Sequence, residues 1–224
     1  MEMHIIQKHI LKRLAENKTL RYAQIKPPRV EGNQFSYHLK TLIRRGYVMH
    51  KNTAYALTTK GVHYSTQVTF EHFSLRVQPK ITTLIVCKNS KGEYLAYTRN
   101  KQPFLGMDGF PYGKVHLGER VAVAAERELK EKAGISAELK QKGVMYLLVT
   151  DSAGEVIAHT LFHIFLGTKP KGEIVIDSPI GKIRWLSEKD LLKQNIMPGV
   201  PEVLRIAKST SNALLFEEYE FEQA

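Results

Sequence analysis

Between Gly113 and Ile135 the chain places its glycines and charged residues at fixed intervals. Gly113 is followed after five residues by Glu119. Seven residues later comes Arg127-Glu128-Leu129-Lys130-Glu131-Lys132-Ala133-Gly134-Ile135. From Glu119 onward the composition is Ala, Glu, Arg, Lys and Leu, all strong helix formers, and Gly134 supplies a stop. The pattern therefore predicts a glycine turn feeding one helix. On that helix Glu128 and Glu131 stand at i and i+3, with position 132 at i+4 from Glu128, so these side chains share a face. Glutamates so spaced are also compatible with a plain solvated face, and only the turn ahead of them argues for a site.

The flanks read as strands. Ile81 to Cys87 and Tyr94 to Arg99 are β-branched or aromatic runs around Lys91-Gly92, which predicts a hairpin. Further strands are expected at Val144–Thr150, Ile157–Leu166, Ile174–Ile176 and Ile183–Leu186, and a last helix at Val200–Lys208. Strands around one central acidic helix indicate an α/β sandwich. With the box Gly-x5-Glu-x7-Arg-Glu-Leu-x-Glu, the upstream Phe110-Pro111 and the downstream Ile183-Arg184-Trp185-Leu186, residues 80–208 resemble the Nudix hydrolase family.

That resemblance implies a ligand in which a nucleoside diphosphate is linked to another moiety, with Mg²⁺ or Mn²⁺ as cofactor. Diphosphate hydrolysis needs divalent cations to neutralise and orient the phosphates and to acidify a water, and Mg²⁺ prefers carboxylate oxygens. It assigns Glu119, Glu128 and Glu131 to the metal and Glu128, Glu131 and Arg127 to catalysis; Gly113, Lys114 and Lys132 are the candidates for substrate binding, Lys132 as this chain's own departure from the box. Arg127 holds the position of the arginine that orients the carboxylates.

One position breaks the box: Lys132 stands where the family carries the second of two paired glutamates, usually a metal ligand. At ~4 Å and an effective dielectric of ~20, a unit charge repels another by roughly 4 kcal/mol and a dication by roughly twice that. Metal affinity is therefore expected to fall. His116 and Tyr112 also depart from frequent family residues, as does Ser178-Pro179, and His116 is a substitute ligand or a polar loop residue. Asp151, Glu173 and Asp177 are the acidic candidates for a general base. Two functions remain open: a Mg²⁺-dependent hydrolase, or a domain in which Lys132 contacts phosphate and senses a metabolite such as ADP-ribose for a transcriptional regulator. Specificity is expected from residues 100–108 and 151–155, with Phe104, Phe110 or Tyr112 stacking a base or packing in the core.

The first third differs in charge. Residues 1–77 hold 13 Lys and Arg against 4 Asp and Glu, net +9, whereas residues 78–224 come to +2. Such asymmetry suits a polyanion partner, although a solvated basic surface also fits. Ile6, Ile10 and Leu14 predict a helix over 4–16. Shorter helical signals follow at 20–25, ended by Pro27-Pro28, and after Asn33 as N-cap, with Phe35, Leu39, Leu42 and Ile43 inward. Strands at 47–50 and 53–57 around Lys51-Asn52, and a helix over 59–66, complete the order. Tyr37-His38-Leu39-Lys40, Gly46-Tyr47-Val48 and Tyr55-Ala56-Leu57-Thr58-Thr59-Lys60-Gly61 resemble the winged helix-turn-helix of bacterial and archaeal regulators. The resemblance implies double-stranded DNA as partner, with Gln34, Ser36, Tyr37, Lys40, Thr41, Arg44 and Lys51 facing it; a dimerisation module is the alternative.

The expected class is thus α+β: a winged helix-turn-helix (1–68), a linker (69–79) and a Nudix α/β/α sandwich (80–224). No apolar run is long enough for a membrane span. The first ten residues do not read as a secretory signal, and the single Cys87 sits in an apolar run, so a cytoplasmic protein with a buried thiol is expected. Both domain types favour a homodimer.

Overall fold

A computed structural model describes residues 3–70, 73–179 and 181–223. The chain divides into two compact units, residues 1–77 and 78–224.

In the first unit α1 (Ile5–Ala15), α2 (Tyr22–Ile25) and α3 (Gly32–Arg44) precede an antiparallel hairpin, β1 (Val48–Lys51) and β2 (Ala54–Leu57), and then α4 (Thr59–Gln67). The apolar residues spaced along α1 and α3 meet in one core: Ile10, Leu11, Ile25, Phe35 and Leu42 are fully buried. The hairpin turns on Asn52, whose φ of 56° is a left-handed conformation that asparagine tolerates. Asn33 lies inside α3, whose N-cap is Glu31, in extended backbone with no side-chain capping bond. Thr58 caps α4 by accepting from the Gly61 amide, and Thr58 Oγ1 donates to the Gly46 carbonyl. Gly61 has no room for a side chain: a Cβ there would lie 2.0 Å from the Tyr47 carbonyl oxygen. The stretch after α4 is no extended tether. Val68 pairs with Leu75, the Arg76 amide donates to the Gln67 carbonyl, and Phe73 packs on the helical core.

The second unit is built on two sheets. One runs β5 (Asp108–Gly109), β4 (Tyr94–Arg99), β10 (Gly181–Leu186), β9 (Asp177–Ser178). The other runs β11 (Leu215–Gln223), β7 (Ser136–Asp151), β8 (Val156–Lys171), β3 (Lys80–Cys87), β6 (Tyr112–Lys114). Helix α5 (Val121–Ala133) packs on β3, β6 and β7, α6 (Glu188–Leu191) on β10, and α7 (Val200–Lys208) on β7, β8 and β3.

Three sequence expectations change here. β3 and β4 are not a hairpin: past the Lys88–Tyr94 bridge they enter different sheets, each strand buried on both faces by its own neighbours. Ile174–Ile176 is not a strand; the short pairing partner of β10 is β9. The terminal β11, unanticipated, runs parallel to β7 at the sheet edge. Cys87 is buried, and burial pushes its thiol up to about 11. Among the described residues no helix is long and apolar enough to cross a membrane.

Candidate ligand-binding site

The helix and the glycine turn meet through Glu128. Gly113 lies on β6, paired with Thr83 of β3, and a Cβ on it would sit 1.8 Å from the Glu128 carboxyl carbon. Only a glycine lets the backbone pass so close. Gly134 ends α5 in the left-handed region (φ 74°), its amide donating to the Lys130 carbonyl.

Arg127 gathers the three glutamates. Its Nε and Nη2 donate to Glu119 Oε1 and Oε2, both at 2.8 Å. Nη1 donates to Glu128 Oε1 at 2.7 Å and to Glu131 Oε2 at 3.3 Å, and Nη2 also reaches the Lys114 carbonyl at 3.0 Å. Such bidentate, charge-assisted contacts are the strong kind. The guanidinium and the His116 amide, which donates to Oε2 at 2.9 Å, hold the Glu119 carboxyl down at about 2. That sets a sign. Glu119 stabilises the fold above its unfolded pKa, near 4.3. The contribution is lost as pH falls toward about 2. In EDTA, thermal melts of Glu119→Gln should therefore approach the native curve in this acid range and lie below it at neutral pH. Parallel curves would contradict the assignment.

Lys132 is largely enclosed. Its Nζ stands 3.8 Å from Glu128 Oε2 and 5.3 Å from the centre of the Tyr97 ring. Burial lowers its pKa, with nearby Lys101 and Arg99 adding to the effect and Glu128 opposing it.

These groups border a cavity of about 360 Å³. Its described lining holds five cationic side chains, Lys80, Arg99, Lys101, Lys114 and Lys132, and one carboxylate, Glu128. Thr82, Gly113, His116 and Thr160 add polar edges, and Phe104, Tyr112 and Phe162 form an aromatic wall. Phe104, Tyr112, Leu147 and Phe162 also line an adjoining apolar recess that includes Phe110, Met145 and Val203. Arg99 is held by its own loop, donating to the carbonyls of Lys101, Gln102 and Pro103 and to the Tyr112 hydroxyl.

Of the residues singled out from sequence, Phe104, Tyr112, Gly113, Lys114, His116, Glu128 and Lys132 line this cavity; Glu119, Arg127 and Glu131 are outside its described lining. Loop 100–108 contributes Lys101, Pro103 and Phe104; no residue of loop 151–155 is in the described lining, and Asp151 instead accepts from the Ala153 and Glu155 amides of its own turn. Asp151, Glu173 and Asp177 are not in the described lining. Lys80, Thr82, Arg99, Thr160 and Phe162 were not anticipated. Lys80 and Thr82 stand two apart on one face of β3, but Thr83 on the other face is also polar and Leu84 and Val86 continue the first face as apolar, so the sequence carried no clear alternation there. Among the described residues no three His, Cys, Asp or Glu side chains converge as a metal-binding group.

In the first unit Gln34, Tyr37, Lys40, Arg44 and Lys51 are exposed. Ser36 is half-buried and hydrogen-bonded to the Tyr22 hydroxyl at 2.8 Å, and Thr41 Oγ1 donates back to the Tyr37 carbonyl.

The two-sheet fold, its central helix and the glycine–glutamate contact agree with the family match: residues 78–205 match the NUDIX domain. The chain belongs to the Nudix family. Solved structures agree in fold. A MutT protein from Bacillus halodurans superposes with a TM-score of 0.52 at 23% identity, covering 64% of this chain and 90% of that one. A MutT NUDIX hydrolase from Burkholderia pseudomallei gives 0.50 at 26% identity, covering 59% and 100%. The NUDIX domain of Shewanella oneidensis NrtR, solved with ADP-ribose, gives 0.52 at 17% identity, covering 68% and 97%. No curated protein matches the chain.

Proposed function

We propose that this chain is a DNA-binding regulator whose Nudix domain captures a nucleoside diphosphate-linked molecule and hydrolyses it weakly or not at all. The cavity carries the reading. Five cations facing one carboxylate suit a polyanion, and the aromatic wall beside them suits a base. The donor set does not fit a divalent cation. Both oxygens of Glu119 and one each of Glu128 and Glu131 accept from Arg127, and the free oxygen of Glu128 faces the Lys132 ammonium. The Nudix domain of NrtR binds ADP-ribose, which makes that molecule the first ligand to try.

The DNA half of the proposal rests on the net +9 of residues 1–77 and on the order helix, helix, helix, hairpin, helix, which is that of a winged helix. Gln34, Tyr37, Lys40 and Arg44 project from α3, and Lys51 from the end of β1. Gln suits adenine edges, while the cations suit phosphate. DNA affinity should fall steeply with salt, and Lys51→Gln should flatten the log–log slope by about 1. A salt-independent affinity, or no complex at low salt, removes the DNA reading.

The ligand half is tested by incubating the full chain with ADP-ribose, nucleotide sugars and dinucleoside polyphosphates, with Mg²⁺ or Mn²⁺. The expected result is thermal stabilisation by at least one compound with product near background. Rapid metal-dependent cleavage would instead make the chain a hydrolase.

A further inference from the structure

If the cavity takes a diphosphate, something must neutralise that diphosphate, and the cavity contains its own means. The carboxylates are already compensated. Arg127 sits among Glu119, Glu128 and Glu131 with four contacts of 3.3 Å or less, and Glu131 is 58% exposed outside the cavity. What faces the cavity is the opposite charge. Lys132 enters from α5, Lys114 from β6, Lys80 from β3, and Arg99 and Lys101 from the end of β4 and its loop. They come from α5, from the paired strands β3 and β6, and from the end of β4 and its loop, so three parts of the unit bring positive charge to one cavity.

We propose that the diphosphate is bound without metal, its charge neutralised directly by Lys132 together with Lys80, Arg99, Lys101 and Lys114. This rests on the ligand reading above and adds to it a recognition chemistry. Lys132 replaces a bridging cation by a tethered one. Its side chain is 15% exposed and its ammonium lies between Glu128 and the Tyr97 ring, so it is preorganised near the helix face. Lys101 and Lys114 are exposed and can close over an anion at the rim. Thr82 and Thr160 add hydroxyls to the same wall. A phosphate held this way is neutralised, yet no metal-bound water is generated to attack it, which matches capture without turnover.

Isothermal titration calorimetry of the full chain with ADP-ribose and with inorganic pyrophosphate, each in EDTA and in MgCl₂, decides the matter. The expected result is saturable binding in EDTA, within about twofold of the affinity in Mg²⁺. Lys132→Gln should weaken binding about tenfold in both buffers, the scale of one charged hydrogen bond. Because Lys132 is enclosed, the exposed Lys101→Gln serves as the second variant and should weaken binding by severalfold. Lys169→Gln, outside the described lining, controls for a general change of charge and should leave affinity unaltered. Binding seen only with Mg²⁺ overturns this inference and leaves the ligand reading standing. Native-like affinity in both Lys132→Gln and Lys101→Gln also overturns it. No heat in any buffer overturns both together.

Discussion

Lys132→Glu should create a Mg²⁺ site where the native chain has none of consequence. The native ammonium stands 3.8 Å from Glu128 Oε2. Exchanging it for a carboxylate removes a cation from the helix face and adds two donor oxygens beside Glu128. A unit pair at ~4 Å and an effective dielectric of ~20 interacts by roughly 4 kcal/mol, and the exchange changes the sign of that term toward a dication. Side-chain freedom reduces the gain, but even about 2.7 kcal/mol is about 100-fold in affinity. The variant should therefore melt lower than the native chain in EDTA, since two carboxylates then face each other. It should recover on addition of MgCl₂, and it should cleave ADP-ribose faster than the native chain. The native chain should show little response to Mg²⁺. Equal Mg²⁺ titrations for both proteins, by calorimetry and by melting, would mean that position 132 does not govern the metal.

Gly61→Ala should strongly destabilise the first unit while sparing the second. The added Cβ would lie 2.0 Å from the Tyr47 carbonyl oxygen and 3.1 Å from Leu57 Cδ2. Neither can retreat cheaply. Tyr47 O accepts from the Thr58 amide, and the capping hydroxyl of Thr58 binds Gly61 itself. Backbone would have to move, at a cost of about 3 kcal/mol or more. For a unit of this size, total stability is on the order of 4–12 kcal/mol, so the loss is a large fraction. The expected outcome is a first-unit melting transition lowered by more than about 10 °C and weakened DNA affinity, with ligand-induced stabilisation of the second unit retained. A native-like melt with intact DNA binding would contradict the packing described for α4.

The parts of this chain that were legible in sequence are those whose physics is local. The helix α5 announced itself through composition and its glycine stop, and its spacing placed Glu128 beside Gly113. α1 and α3 followed from apolar residues three and four apart, with Asn33 misread as a cap because a favourable capping residue inside the first turn looks the same as one before it. Non-local pairing was not legible. Nothing in Ile81–Cys87 and Tyr94–Arg99 says that two adjacent apolar runs will part into different sheets, because a strand buried on both faces carries no alternation to name its partner. β11 did carry a signal, Glu218-Tyr219-Glu220-Phe221-Glu222, in which exposed glutamates alternate with half-buried aromatics, but its parallel pairing with β7 depends on distant residues. The cavity shows the same division. Lys114, Glu128 and Lys132 were in the box, whereas Lys80, Arg99, Lys101 and Thr160 join them only once β3, β4 and β8 are in place.

Hydrogen exchange of the full chain, with and without ADP-ribose in EDTA, bears most directly on the claim that the basic cavity beside α5 is the binding site. Slowed exchange should be confined to the segments that line the cavity, residues 80–82, 99–104, 112–116, 128–133, 147 and 158–162. Protection only elsewhere in the second unit, or unchanged exchange in all of these segments at saturating ligand, would contradict it.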